Sequence, residues 1–235
     1  MILNHRLLSR RKLTASIAAG AAAIAVAGGS YGIVSATSSS SSAAGSTAKT
    51  AQAGSNARSG PAAGGASGTV GSVSTPGFTM STSAGQKVTV DEASSTTYQQ
   101  GTSPASASAV TTGEPVLVLG TTSGTTITAT QVIVQPAGGG SAASPAAKVI
   151  PFKRGAPATS KQVGQLPANY RQGSGTIVSG TAANKATEAA LAAYPGGIVD
   201  RVVKLSNGEY NVHYIGVNWP HHVFESASFK VVGAL

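Results

Sequence analysis

The sequence predicts an exported protein with two small folded modules, an all-β module followed by an α+β module. Three observations support this fold class. A basic cluster and an apolar run open the chain, short alternating apolar segments fill residues 66–136, and a helical pattern followed by strands fills residues 175–235. Only 5% of the residues are aromatic, and small side chains each bury little area, so one large core is not expected.

The amino-terminal residues 1–34 have the pattern of a signal peptide or membrane anchor. Four basic residues precede an uncharged Ala, Gly, Ile and Val run over residues 13–34: Arg6, Arg10, Arg11 and Lys12. About 20 apolar residues cross a bilayer, and flanking cations stay in the cytoplasm. We therefore expect a single-pass protein of the cell membrane with its carboxy-terminal bulk outside the cytoplasm, or a secreted protein if the signal is cleaved.

Two questions about this segment stay open in the sequence. Small residues acceptable to a signal peptidase occur at Ala25-Val26-Ala27 and at Val34-Ser35-Ala36, so both a retained and a cleaved segment are compatible with it. Ser9-Arg10-Arg11-Lys12-Leu13 contains part of a twin-arginine signal, but an ordinary basic flank explains it too. The export route is therefore not assigned.

Composition excludes several function classes. The chain has no cysteine, which excludes disulfides, thiolate metal sites and thiol nucleophiles. The formal charge is +9, but without the four amino-terminal cations twelve basic residues stand against seven acidic ones. This mild excess suits contact with anionic envelope polymers or lipid headgroups, and we predict no nucleic-acid partner.

Two segments are predicted to be linkers. Residues 35–65 consist mainly of Ser, Ala and Gly and should be disordered, while residues 137–174 form a flexible basic linker punctuated by proline. Lys148, Lys153 and Arg154 in the second linker are candidate contacts to an acidic envelope polymer or a membrane surface. The alternative is a solvated linker with no contact of its own.

Residues 66–136 read as six or seven short strands that close into a small β-barrel. The module resembles an exported domain-of-unknown-function family of small OB-like barrels, in Gly68-Thr69-Val70, in Thr96-Thr97-Tyr98 and in the segment from Gly113 to Val132. The resemblance implies a fold and no activity. Phe78 and Tyr98 are the only aromatic residues here and are assigned to the core, which leaves no stacking platform for bases.

Residues 175–235 predict one helix that covers an antiparallel sheet. Residues 181–194 carry an apolar stripe on one helical face, and Pro195-Gly196-Gly197 ends the helix. Residues 198–205 and 209–215 then form a hairpin around Ser206-Asn207-Gly208, and residues 222–225 and 229–232 close the sheet.

This order resembles the PepSY domain family. The matching segments are Lys185 to Ala192, Tyr194 to Val202, Glu209 to Val212, and Phe229 to Gly233. The resemblance implies a protein that regulates or inhibits an extracytoplasmic peptidase, or binds another envelope protein, without performing chemistry. The segment from Gly216 to His222 departs from the family pattern, so this loop is a candidate contact surface of the chain's own.

The candidate partner-binding residues lie on the hairpin and on this loop: Trp219, His221, His222, Tyr210 and Tyr214. Trp219 has a second interpretation as a loop anchor. His213, His221 and His222 are candidate metal ligands by residue type, but adjacent histidines point apart on a strand, so no metal site is predicted. No serine lies in a nucleophile elbow, and we predict no catalytic residue and no cofactor.

Two functions remain compatible with these residues. One is an exported, membrane-anchored, non-enzymatic binding or regulatory protein. The other is a passive spacer of the cell envelope. The sequence identifies neither the partner nor the oligomeric state.

Overall fold

The computed structural model describes residues 60–136, 149–154 and 161–235, which belong to one compact unit. The predicted signal or anchor over residues 1–34 and most of the first predicted linker lie outside the described residues. Among the residues that are described, no helix is both long and apolar enough to cross a membrane.

The first half of the described chain folds into a closed barrel of five strands. Its strands are β1 (Ala62–Ser74), β2 (Gly77–Ser81), β3 (Lys87–Gln100), β5 (Pro115–Ser123) and β6 (Thr126–Val134), with a short β4 (Ser103–Ala105) and a 3-10 helix (Ala107–Ala109) between β3 and β5. β1 pairs with both β2 and β5, β2 pairs with β3, and β5 pairs with β6. A parallel pairing of β3 with β6 closes the barrel.

Side-chain alternation fills the barrel interior. Inward-facing positions hold apolar residues of several strands, including Val70, Phe78, Met80, Val118 and Ile127. The outward positions between them carry Thr and Ser, as expected for strands with one buried face. Phe78 lies in this core, as the sequence predicted.

The second half contains one α-helix among the described residues. Three two-residue strands come first: β7 (Ile150–Pro151), β8 (Val163–Gly164) and β9 (Thr176–Ile177). The helix α1 (Gly180–Ala193) follows, and then β10 (Ile198–Lys204), β11 (Tyr210–Ile215), β12 (Val217–Trp219), β13 (His222–Glu225) and β14 (Val231–Ala234). Helix α1 and the β10–β11 hairpin lie within a residue or two of their predicted bounds.

One sheet of twelve strands runs through both halves of the molecule. β1 pairs with β10, with Gly65 opposite Val199 and Ala66 opposite Ile198. Beside this junction the buried Thr82 hydroxyl donates a hydrogen bond to the Gly196 carbonyl at 2.7 Å. The two predicted modules therefore share backbone pairing rather than packing separately.

Strand β5 contributes to two cores at once. Val116 and Val118 face the barrel interior, whereas Leu117 and Leu119 pack beneath α1. The helix buries Ala183, Ala186 and Ala190 against this layer. Because alanine side chains are short, the helix backbone lies close to β1, β5 and β10. Strand β5 thus separates the core beneath the helix from the core of the barrel.

The predicted fold class is wrong. Of the described residues 53% are in strands and 11% in helices, and the closed barrel is the main feature, so the molecule is mostly β rather than a barrel joined to a separate helix-on-sheet module. The physical reason is that α1 covers a sheet to which β1 and β5 also belong. A pairing between segments so distant in sequence leaves no mark in local periodicity.

Parts of the predicted linkers are strands in the structure. β1 begins at Ala62, inside the segment predicted to be disordered. Within the predicted basic linker, β7 pairs with β12 and β8 pairs with β14. β8 adds to the edge of the large sheet, whereas β7 and β12 form a separate sheet of two strands. Strands of two residues are too short to show an alternating apolar pattern.

Candidate functional site

The sheet formed by β10, β11, β13 and β14 has two chemically different faces. On β11, Tyr210, Val212 and Tyr214 are buried on the face that α1 covers. The alternate residues Asn211 and His213 point to the opposite face, because side chains alternate along a strand. That opposite face is polar at its centre and is partly covered by the segment of residues 161–178.

A charged group lies on this polar face. The Asp200 carboxylate contacts the Nδ1 atom of His213 at 2.5 Å and accepts a hydrogen bond from the Arg201 guanidinium at 2.8 Å. Burial alone would raise the pKa of Asp200, but the hydrogen bonds from His213 and Arg201 outweigh burial and hold the pKa of that carboxyl below its ordinary value. Asp200 is therefore ionised at neutral pH and fixes the orientation of the His213 ring.

Uncharged side chains lie next to this charged group on the same face of the sheet. The Nδ1 atom of His222 lies 3.1 Å from the Asn211 side-chain oxygen and 3.3 Å from the Tyr170 hydroxyl, and the Asn211 amide donates to that hydroxyl at 3.3 Å. The His222 ring centre is 5.0 Å from that of His213. Burial, with added repulsion from His213 and His221, lowers the pKa of His222 to about 4, so this ring is uncharged at neutral pH.

We refer to these six residues as the polar network: Tyr170, Asp200, Arg201, Asn211, His213 and His222. It links three strands to the segment before α1 through side chains alone. Tyr170 also packs edge-on against Phe224, with ring centres 4.7 Å apart. The network and this aromatic contact hold Tyr170 in one position on the sheet.

A pocket of about 210 Å³ opens beside Tyr170. One wall is the segment from Pro167 to Tyr170 with Ser174 and Gly175, and the other is the turn between β10 and β11, from Leu205 to Asn207. β9 pairs with the end of β10 and ties the two walls together. Gly175 has a φ of 98° and lies so close to the Lys204 carbonyl that a larger residue would push the walls apart.

The pocket is lined by uncharged polar residues and by apolar ones. Asn169, Ser174 and Ser206 present amide and hydroxyl groups, and Leu205 and the Tyr170 ring provide apolar surface. Asn207 is held by Glu209, whose carboxylate accepts a hydrogen bond from its amide at 2.6 Å. Such a wall can donate and accept hydrogen bonds but offers no charge to a ligand.

Three of the predicted partner-binding residues are buried in the core. Trp219 is 3% exposed, its indole N–H donates to the Lys161 carbonyl at 3.0 Å, and its ring packs edge-on against Tyr194. Tyr210 and Tyr214 lie under α1 and are 6% and 0% exposed. Trp219 thus packs as a loop anchor, its second interpretation, and the two tyrosines lie in the core.

The loop histidines His221 and His222 lie where β13 begins, and His222 is opposite His213 of β11. His222 belongs to the polar network, and His221 is half-buried beside it. The described residues contain no group of three or more His, Cys, Asp or Glu side chains that could hold a metal ion. His213 and His222 adjoin each other, but Asp200 already occupies the Nδ1 atom of His213.

The predicted envelope-contact residues are only partly described. Lys148 lies outside the described residues. Lys153 and Arg154 are exposed and follow Phe152, which is 51% exposed. β7 fixes this tip to β12, and the Asn218 amide donates to the Pro151 carbonyl at 3.1 Å.

A buried acid lies on the helix-covered face of the sheet. Glu225 is 0% exposed, and neither of its carboxyl oxygens has a hydrogen-bond partner among the described residues. Burial raises the pKa of Glu225 to about 8, so the carboxyl is mostly protonated at neutral pH. The neighbouring Tyr214 hydroxyl is buried and without a partner in the same set of residues.

Sequence reasoning missed the pocket and most of the polar network. Asn169, Tyr170 and Ser174 lie inside the predicted linker, and for Asp200, Arg201 and Asn211 the sequence pattern predicts only positions on strands. One signal was available. Tyr170 is an isolated aromatic residue followed by Gly173 and Gly175, a pattern typical of a turn held against a folded surface.

Comparisons with protein-family models, curated proteins and solved structures found no match for this chain. The resemblances to the PepSY family and to OB-like exported barrels therefore stay predictions.

Proposed function

We propose that this chain is an exported, membrane-anchored, non-enzymatic binding protein of the cell envelope whose pocket beside Tyr170 receives its partner. The observation that carries the proposal is the pocket itself: a cavity of about 210 Å³ between two turns, with one wall fixed by the polar network. Concave sites with a few oriented polar groups are where proteins most often bind ligands. Export and anchoring rest on the pattern of residues 1–34.

A preorganised wall supports binding rather than a packing role. Tyr170 is held through Asn211, His222 and Phe224, so its ring does not have to be ordered when a ligand arrives. Groups that are already fixed lose little conformational entropy on binding, which improves affinity. The resemblance to the PepSY family adds an extracytoplasmic peptidase to the candidate partners, as an expectation only.

The pocket can be filled without touching the core. Ala168 is exposed in the turn that forms one wall, so Ala168→Trp should block the opening while the fold is kept. Ala107, exposed in the 3-10 helix of the barrel, provides the matched control Ala107→Trp. The full chain and both variants would be crosslinked in envelope preparations. We expect one crosslinked species that Ala168→Trp loses and Ala107→Trp keeps, and equal yields from all three proteins would contradict the proposal.

The barrel is proposed to be OB-like. Its spatial order β1-β2-β3-β6-β5, closed through β1 and with β3 parallel to β6, supports this assignment. A solved structure of the chain that placed β3 and β6 on an open edge would contradict it. We attach no ligand to the barrel.

A second candidate function is envelope attachment through the tip at Phe152, Lys153 and Arg154. The favouring observation is an exposed aromatic ring directly beside two exposed cations, a combination that suits an anionic surface. The passive-spacer alternative relies on this tip and not on the pocket. Replacing Lys153 and Arg154 by glutamate should release the attachment while leaving the Ala168-dependent crosslink in place.

A further inference from the structure

We propose that the pocket beside Tyr170 binds one neutral sugar residue, free or at the end of a glycan. This inference rests on the proposed function, since it names the class of ligand for the same site. It is carried by three properties of the pocket: uncharged polar walls, a β10 edge that is already occupied by β9, and a size that admits one ring.

The walls select a neutral ligand. No side chain lining the pocket carries a charge at neutral pH, because the lining consists of amides, hydroxyls, apolar groups and the Tyr170 ring. An ionised ligand would leave water without gaining an opposite charge, which is unfavourable. The Glu209 carboxylate, beside the second wall, is hydrogen bonded to the Asn207 amide.

Four backbone N–H groups of the two turns are already paired. The N–H groups of Tyr170, Ser174, Leu205 and Gly208 donate within their own turns, to Pro167, Arg171, Glu209 and Leu205. β9 occupies the edge of β10 at Val203 and Lys204. A peptide that binds by adding a strand needs free backbone groups along an edge, and β9 already fills this edge of β10. The side chains that line the pocket are therefore the groups we assign to recognition.

Side-chain amides and hydroxyls match the ring hydroxyls of a sugar. Asn169 provides an amide on one wall, and Ser174 and Ser206 provide hydroxyls that both donate and accept. The Asn207 amide is bonded to Glu209 through both its nitrogen and its oxygen, which fixes the opposite wall. The C–H face of a sugar ring can rest on Leu205 and Tyr170. A volume of about 210 Å³ is below the roughly 300–1,000 Å³ of pockets for drug-sized ligands, so one ring fits and a larger molecule must extend outside.

The test uses the full chain and small neutral probes in saturation-transfer NMR. The probes are the methyl glycosides of glucose, galactose and mannose, N-acetylglucosamine, and a doubly capped alanine tripeptide. A ligand of about a dozen heavy atoms binds in the millimolar range at ordinary ligand efficiency, so the probes are used at that concentration. The proteins compared are the native chain, Ala168→Trp, Asn169→Ala and the matched control Ala107→Trp.

We expect at least one sugar to bind the native chain and Ala107→Trp, no binding to Ala168→Trp, and about three- to tenfold weaker binding to Asn169→Ala, the effect of one hydrogen bond. If no sugar binds, or if sugar binding survives Ala168→Trp, the inference is overturned. If only the capped tripeptide binds, and Ala168→Trp abolishes it, the pocket is a binding site and the proposed function stands, but the ligand class is wrong.

Discussion

At the scale of one residue, the buried Glu225 makes the stability of the fold depend on pH. The carboxyl is fully buried among apolar and aromatic side chains under α1, and burial raises its pKa from an ordinary 4.5 to about 8. The unfolded chain ionises this group at a much lower pH than the folded chain does. The contribution of protonated Glu225 to the free energy of unfolding is therefore fully present below pH 4.5 and is lost as the pH rises through 8.

Glu225→Gln should flatten this dependence because glutamine has nearly the same shape and does not ionise. For the native chain the free energy of unfolding should fall by roughly 1–2 kcal/mol between about pH 6.5 and 8, at about 1.4 kcal/mol per pH unit for one proton. Urea unfolding at several pH values measures it. Glu114→Gln on the barrel is the control and should keep the decline. A variant at position 225 that declines like the native chain would show that Glu225 is not the source.

His222 should produce the opposite slope at lower pH. Its pKa is lowered to about 4, from an ordinary 6.5, by burial and by neighbouring histidines. Because the folded chain protonates His222 at a lower pH than the unfolded chain does, neutral His222 contributes fully to the free energy of unfolding above pH 6.5. This contribution is lost as the pH falls toward 4. His222→Gln should remove this loss in the same unfolding series. If the free energy of unfolding of the variant fell below pH 6.5 as it does in the native chain, other groups would be the cause.

Single residues were predicted unevenly for a physical reason. The sequence correctly placed Phe78 and the alanine stripe of α1 in the core, because periodicity reports burial directly. It treated Trp219, Tyr210 and Tyr214 as contact residues, although a large aromatic residue on a short strand is equally suited to packing. Tyr170 was overlooked, since its role depends on Asn211 and His222, which approach it only in the folded chain.

At the scale of elements, β5 explains why the two halves are joined. The run Val116-Leu117-Val118-Leu119 is apolar at every position, which is typical of a strand buried on both faces. The structure gives each face a core of its own, one in the barrel and one under α1. The strand itself was predicted, but a continuous apolar run does not say what covers its second face.

The close approach of β1 to its neighbours predicts a strong effect of a small substitution. A Cβ atom at Gly64 would collide with the Val199 carbonyl, whereas one at Gly71 would meet nothing closer than 3.4 Å. Gly64→Ala should therefore lower the free energy of unfolding by about 1–3 kcal/mol, as overpacking does. Gly71→Ala should stay within about 0.5 kcal/mol of the native value.

Thermal or urea unfolding of both glycine variants provides the comparison. The matched pair separates the collision from the general effect of replacing glycine by alanine in a strand. Equal stabilities of the two variants would mean that β1 and β10 are not as close as the structure places them.

At the scale of the whole molecule, the shared sheet predicts one cooperative unfolding transition. Met80 lies in the barrel core, 1% exposed, while Trp219, the only tryptophan of the chain, reports on the other half. Met80→Ala should lower stability by about 2–5 kcal/mol and shift the Trp219 fluorescence transition by the same amount. Ser81→Ala is the exposed neighbour used as control. If Met80→Ala left the unfolding transition seen by Trp219 fluorescence unchanged, the two halves would be independent modules.

The long-range pairings are what the sequence could not predict. Helix α1, the β10–β11 hairpin and most barrel strands follow from local patterns and turn residues. The β1–β10 pairing depends on Gly64 and Gly65, whose lack of side chains allows close contact but produces no apolar signal. The pocket could not be predicted either, because its two walls, residues 167–175 and 205–207, are separated in the sequence.

Hydrogen exchange of the full chain, with and without its bound partner or ligand, tests the central claim most directly. We predict that protection on binding appears in peptides that cover residues 166–175 and 203–209, the two walls of the pocket, and that Ala168→Trp abolishes it. Protection confined to the barrel strands β2 and β3, or to residues 149–154, would contradict the claim and place binding on another surface.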